Sequence, residues 1–149
     1  GYEHRNIGLE RDAEKGTIST NPENHQRMVI ARQAKIEQVA NQIPLLQVQG
    51  NPQSDTLLIG WGSTEGHLHA AANELGCALA HFNYINPLPK NTEEVLRQYK
   101  RIVVCELNSG QFAAYLRSKI AGISLEQYNE LTAQPFAVDR IVNFVKNTL

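Results

Sequence analysis

Cysteine is nearly missing from this chain: Cys77 and Cys105 are the only two in 149 residues. Two thiolates cannot hold an iron–sulfur cluster, which takes four protein ligands. They also fall short of a cysteine-rich zinc site. Cys105 lies inside the apolar run RIVVC and Cys77 opens CALA. Both read as buried, reduced thiols in a cytoplasmic protein; a disulfide between them is the alternative. An excess of charge is missing too, with 14 Lys and Arg against 15 Asp and Glu. That argues against a nucleic-acid binder working through bulk positive charge. No apolar run approaches the ~18 residues of a membrane span. The first residue is Gly1 rather than Met, and no signal-peptide pattern follows. The chain therefore reads as a piece of something longer.

What is present is the composition of a globular domain, 42% hydrophobic. Residues 1–20 are polar and without period, an arm or loop whose Glu3, His4 and Arg5 read equally as an interaction strand or as solvated chain. A helix is expected from Pro22, with Asn21 as its cap, to about Gln42, with Val29, Ile36, Val39 and Ile43 forming a narrow apolar stripe. Beyond it, short apolar runs alternate with helical stretches. LLQVQ (45–49) reads as an edge strand, TLLIGW (56–61), ALAHFNYI (78–85) and RIVVCEL (101–107) as buried strands, and a last short strand falls within 123–131. Helices are expected after each inner strand, capped by Ser63, by Asn91 or Thr92, and before the C-terminus by Asp139. The second of these runs to Lys100 and Arg101. The alternation implies βαβ units, a mainly parallel sheet and helices on both faces. The division expected is an arm and helix over 1–44 and an α/β domain over 45–149, together one compact unit.

Ligands of such sheets bind beyond the carboxyl ends of the strands. Three loops meet that edge, and they supply the candidate ligand or interface residues Gly62, Ser63, Thr64, Lys90, Glu106, Asn108 and Gln111. A dinucleotide fingerprint fails, because the residue three after Gly62 is Glu65, and Phe82–Asn86 holds no ribose-binding acid. The helix start at Ser63–Gly66 could still take an anion, or its glycines could simply let strand turn into helix. Asn108-Ser109-Gly110 is no nucleophile elbow. Glu106 reads first as an acceptor for the helix behind it and second as a general base. His67 and His69 point roughly 200° apart on a helix and cannot share a metal. His81 reads as a satisfied sheet residue, and His4 and His25 as surface. No catalytic residue and no metal site is assigned.

The segments GYEH (1–4), ISTNPENHQRM (18–28), LLIGWGST (57–64), YINPLPKN (84–91), ELNSGQ (106–111) and QPF (134–136), in that order, resemble the 2-oxoacid:ferredoxin oxidoreductases. The match is to the C-terminal part of the α subunit of the 2-oxoglutarate enzymes. The resemblance implies a domain like the transketolase C-terminal domain: a three-layer α/β/α sandwich around a five-stranded sheet of order 1-3-2-4-5, strand 1 antiparallel. It implies a parent complex that uses thiamine diphosphate, magnesium and iron–sulfur clusters to convert a 2-oxoacid and coenzyme A to acyl-CoA, CO2 and reduced ferredoxin. Its partners would be the remaining α-subunit domains and the β subunit. The Gly-Asp-Gly of thiamine enzymes is missing, so this region is expected to hold no cofactor and to serve assembly. The other reading is a small module binding coenzyme A or another phosphate ligand at Ser63 and Lys90. A stand-alone hydrolase ranks last.

Overall fold

A computed structural model of the chain describes residues 8–148; the GYEH segment and the rest of the first seven residues lie outside them. The chain divides into two compact units, one ending at Gln42 and the other beginning at Ile43.

In the first unit, helix α1 spans Pro22–Val39. Asn21 caps it, its side chain accepting from the Asn24 amide at 2.7 Å, and Pro22 occupies the first turn, where a missing N–H costs nothing. The preceding residues are tied to the helix by polar groups. The buried Asn24 amide accepts from Ala13 N at 3.1 Å and donates to Arg11 O at 2.8 Å. Glu10 receives both terminal nitrogens of Arg32 at 3.1 Å and lies 3.0 Å from His25 Nδ1. The polar stretch read as a loop is thus a loop docked by hydrogen bonds. The stripe of α1 is solvent-exposed at Val29, Ile36 and Val39.

The second unit is built on five strands: β1 Val48–Gly50, β2 Thr56–Trp61, β3 Ala78–Phe82, β4 Arg101–Glu106 and β5 Glu126–Asn129. Their order is β1-β3-β2-β4-β5. β1 runs antiparallel to β3, and the other pairs are parallel. Four helices follow: α2 Glu65–Leu75, α3 Thr92–Leu96, α4 Gln111–Lys119 and α5 Val138–Asn147. Side chains alternate across the sheet, so the unbroken apolar runs feed two cores. Leu57, Ile59, Ala80, Phe82 and Val104 pack with Leu96 of α3 and Phe112 and Leu116 of α4. Leu58, Leu79, Val103 and Cys105 pack with Leu68 and Ala71 of α2 and Ile141 and Val145 of α5. The result is the expected three-layer sandwich. Among the described residues no helix is long and apolar enough to cross a membrane.

The differences from the sequence reading lie at element ends. β1 begins at Val48 rather than at 45 or 46, because Leu46 is held by side-chain bonds instead: its N–H and C=O pair with the Asn91 amide at 2.8 and 3.0 Å. Asn91 precedes α3 but serves that partner and caps nothing, and Thr92 donates to Pro89 O at 2.6 Å from within the helix. β3 stops at Phe82, not Ile85. α3 ends at Leu96, because Lys100 N and Arg101 N both turn back to Asp55 O at 3.0 Å and start β4. Ser63 sits inside a 3-10 turn over Gly62–Thr64, so it does not cap α2. Asp139 lies in the first turn of α5, two residues past the cap position, which is Ala137.

Candidate functional site

At the carboxyl end of β4, Glu106 is 1% exposed. One carboxylate oxygen accepts from Phe112 N at 2.7 Å and Trp61 Nε1 at 3.3 Å, and the other accepts from Ala113 N at 3.0 Å. Asn108 Oδ1 accepts from Gly110 N at 2.8 Å and Gln111 N at 2.9 Å. The N–H groups that a helix leaves open at its start are therefore all taken at α4. A carboxylate there is also favoured by the helix dipole. Gly110 makes the arrangement possible, with φ 95° at the turn into the helix, a region that side chains disfavour. This is the acceptor role that the sequence reading put first for Glu106. With both oxygens accepting, it is not placed to take a proton from a substrate.

The start of α2 is built differently. The 3-10 turn leads into it, Thr64 Oγ1 donates to Trp61 O at 2.9 Å, and no side chain caps the helix. Gly60 at the end of β2 permits this close packing, since a Cβ there would fall 2.0 Å from Leu68 Cδ1 and 2.7 Å from Thr64 Oγ1.

Two small cavities share this edge. Gly62, Ser63, Thr64, Glu106 and Asn108 line one of about 130 Å³, together with Trp61 and Leu107. Gln111 lines its neighbour of about 170 Å³, with Trp61, Ile85, Asn86, Phe112 and Tyr115. Trp61 belongs to both. Lys90 is exposed in the turn before α3 and lines neither. The structure thus gathers most of the predicted residues, sets Gln111 beyond the indole and leaves Lys90 apart.

The residues that sequence reasoning missed are Trp61, Asn86 and Tyr115. Phe112 lies 6.2 Å from Trp61 and 6.3 Å from Tyr115 between ring centroids, and Tyr115 Oη donates to Asn86 Oδ1 at 3.3 Å. The available signal was the single tryptophan at a strand end together with Phe112 and Tyr115, three apart on one helix face. Chemically the edge offers an apolar rim with a few amides. At this edge Thr64 Oγ1 donates to the backbone at Trp61 O rather than to a base.

The histidines do not alter this. His69 Nδ1 lies 3.2 Å from Asn73 Nδ2, while His67 borders a separate cavity with Ser63, Leu107 and Phe136. Both cysteines are free and buried. Burial pushes the Cys77 thiol up to about 11 and Cys105 further still, so neither is a ready nucleophile near neutral pH. Among the described residues no three of His, Cys, Asp and Glu gather to hold a metal.

No family model matches the chain. Over 156 aligned residues it is 41% identical to the 2-oxoglutarate oxidoreductase subunit KorA of Mycobacterium tuberculosis, covering 100% of this chain and 23% of that protein. Its fold matches the 2-oxoglutarate:ferredoxin oxidoreductase from Magnetococcus marinus, solved with 2-oxoglutarate, coenzyme A and succinyl-CoA bound. That match has a TM-score of 0.82 and 27% identity over 97% of this chain and 26% of the other. The chain thus spans about a quarter of each protein it matches.

Proposed function

We propose that this chain, homologous over its whole length to a segment of a 2-oxoglutarate oxidoreductase subunit, is a non-catalytic assembly domain of a thiamine-diphosphate-dependent 2-oxoacid:ferredoxin oxidoreductase. It is the C-terminal domain of the α subunit, in the cytoplasm, packed against the other α domains and the β subunit. The complex converts 2-oxoglutarate and coenzyme A to the acyl-CoA and CO2 and passes electrons to ferredoxin. Gly62, Ser63, Thr64, Lys90, Glu106, Asn108 and Gln111 border the face it presents.

One observation carries this reading. The carboxyl edge, where a sheet of this kind would bind substrate, is occupied by its own hydrogen bonds: Glu106 and Asn108 serve the start of α4. What remains beside Trp61 is shallow and mostly apolar, suited to a neighbouring surface. The donor set does not fit the complex's cofactors either. Thiamine diphosphate with magnesium calls for an Asp and an Asn in a Gly-Asp-Gly context that this sequence lacks. A cluster calls for four ligands, and the two thiols are buried. Those groups belong to other domains.

The test is a 2-oxoglutarate-dependent dye-reduction assay on this chain alone and on the whole complex. Turnover by the whole complex and none by the chain is expected; turnover by the chain alone overturns the reading.

A second reading has one observation in its favour. The start of α2 beside Ser63 lacks a side-chain cap, and the solved neighbour was obtained with coenzyme A bound. Calorimetric titration with coenzyme A separates the two readings. Saturable binding weakened by Ser63→Ala favours a ligand module, and no heat favours assembly.

A further inference from the structure

The His81 side chain on β3 is 3% exposed, and neither of its ring nitrogens has a hydrogen bond within the protein. Buried polar atoms are almost always paired, so an orphan calls for an explanation. The sequence reading of His81 as a satisfied sheet residue is corrected here, and the sheet shows why. On one side His81 stands opposite Gly60 of β2, which has no side chain to offer. On the other side the pairing of β1 stops at Val48, opposite Ala80.

A cavity of about 210 Å³ adjoins the ring, with Gln47, Gln49, Glu65, Asn83 and Tyr84 on its polar side. Glu65 is its only charged side chain, half exposed, with Oε2 3.9 Å from His81 Nδ1. That separation is too long for a hydrogen bond between them. Gln49 Nε2 reaches the other oxygen at 3.4 Å. In the same unit Asp55, Glu74, Glu93, Glu126 and Glu130 each pair with a Lys or Arg. Glu65 has no such partner among the described residues, and no Lys or Arg lines the cavity. The cavity thus presents a carboxylate, an unpaired imidazole and amide oxygens, and it lacks a cation.

We propose that this cavity receives the side chain of an arginine from a neighbouring domain of the parent complex. The inference rests on the reading of the chain as an assembly domain. A guanidinium carries five donors in a flat fork and no acceptor, while a neutral imidazole keeps one nitrogen free to accept. Two acceptors 3.9 Å apart, Glu65 Oε2 and His81 Nδ1, lie within the span of that fork. Arginine suits the place better than lysine: it is less strongly hydrated, it meets a carboxylate with two donors, and it stacks on aromatic rings such as the exposed Tyr84 at the rim. Such an anchor is typical of the side chains that carry interface energy.

The test labels carboxylates with a water-soluble carbodiimide and glycine amide, in this chain alone and in the whole complex, and follows Glu65 by mass spectrometry. Labelling of Glu65 should be about tenfold slower in the complex. In a complex carrying Glu65→Lys, which sets like charge against the arginine, one arginine protected in the wild type should become several-fold more reactive to phenylglyoxal. Equal labelling of Glu65 in chain and complex overturns the proposal. So does a Glu65→Lys complex in which no arginine gains reactivity, which gives the cavity to solvent or to another cation. Either result leaves the assembly reading standing; that reading fails separately, on dye reduction by the chain alone.

Discussion

Glu106 is the residue on which the edge depends. It is buried, anionic and shared by two backbone amides and an indole. Removing a buried acceptor leaves its donors unpaired at about 1–3 kcal/mol each. Glu106→Ala should therefore cost about 3 kcal/mol or more, read as a lower urea midpoint. Glu106→Gln keeps one acceptor but turns an NH2 toward an N–H, so its loss should be intermediate. A midpoint equal to wild type for Glu106→Ala would contradict the capping role. Cys77 gives a residue-scale pH effect. Its thiol stays protonated in the fold up to about 11, while unfolded it ionises near 9. Below pH 9 both states hold the proton and stability is unaffected by this group. As pH rises from 9 toward 11 the unfolded chain loses its proton first, so stability falls. Denaturation midpoints across that range should fall less steeply in Cys77→Ala than in wild type, the remaining decline coming from Cys105, Tyr99 and Tyr128, which are raised as well. Alkylation of the folded chain at about pH 8 should be slow for the same reason.

Among the elements, the docking of residues 8–20 on α1 is the one with a sharp electrostatic signature. The Arg32 guanidinium, with the Arg11 amide and His25, holds the Glu10 carboxyl down at about 2 against an ordinary 4.5. A depressed carboxyl contributes above its unfolded value and loses that contribution as pH falls through its folded value. Docking should thus be intact above pH 4.5 and weaken progressively toward pH 2. The protection factor of the Ala13 amide, whose N–H is bonded to Asn24, should fall over that window, and Arg32→Ala should reduce the pH dependence, since Arg32 has the largest effect of the groups that hold Glu10 down. Sequence reading made the helix and its Asn21 cap visible because both are local. It missed the docking because Glu10 and Arg32 are 22 residues apart, and no periodicity reports such a pair. The same limit explains the other misses. β2 was readable to the residue, since apolar runs bounded by turn residues mark buried strands. The start of β1 was not, because Leu46 is fixed by Asn91, 45 positions away. Ser63 looked like a cap by residue type, yet a 3-10 turn absorbed it. Glu106 was legible as an acceptor because a strand-end acid ahead of a helix has one obvious use. Trp61 and Tyr115 were not legible as neighbours, because only the fold brings a strand end against a helix face.

For the whole molecule, the outer surface matters more than the interior. The two cores cover the sheet on both faces. Apolar side chains remain exposed on α1, at Val29, Ile30, Ile36 and Val39, and the edge beside Trp61 keeps an apolar rim. Exposed apolar surface of this kind marks contact surfaces, which agrees with a domain proposed to work inside a complex. Gln111 allows that proposal to be tried without disturbing the fold. It is exposed at the start of α4 and borders the Trp61 cavity, and surface changes of this sort usually shift stability by within about 0.5 kcal/mol. Gln111→Arg would lay a long charged side chain across the rim. In the full-length subunit it should leave the urea midpoint unchanged and weaken association with the β subunit about tenfold, with dye reduction falling in parallel and recovering when subunit concentration is raised. A like substitution at Glu94, exposed on α3 away from this cavity, should change neither. If Gln111→Arg lowers turnover while association is unaffected, the edge acts on the reaction itself rather than on assembly, and the ligand-binding reading takes its place.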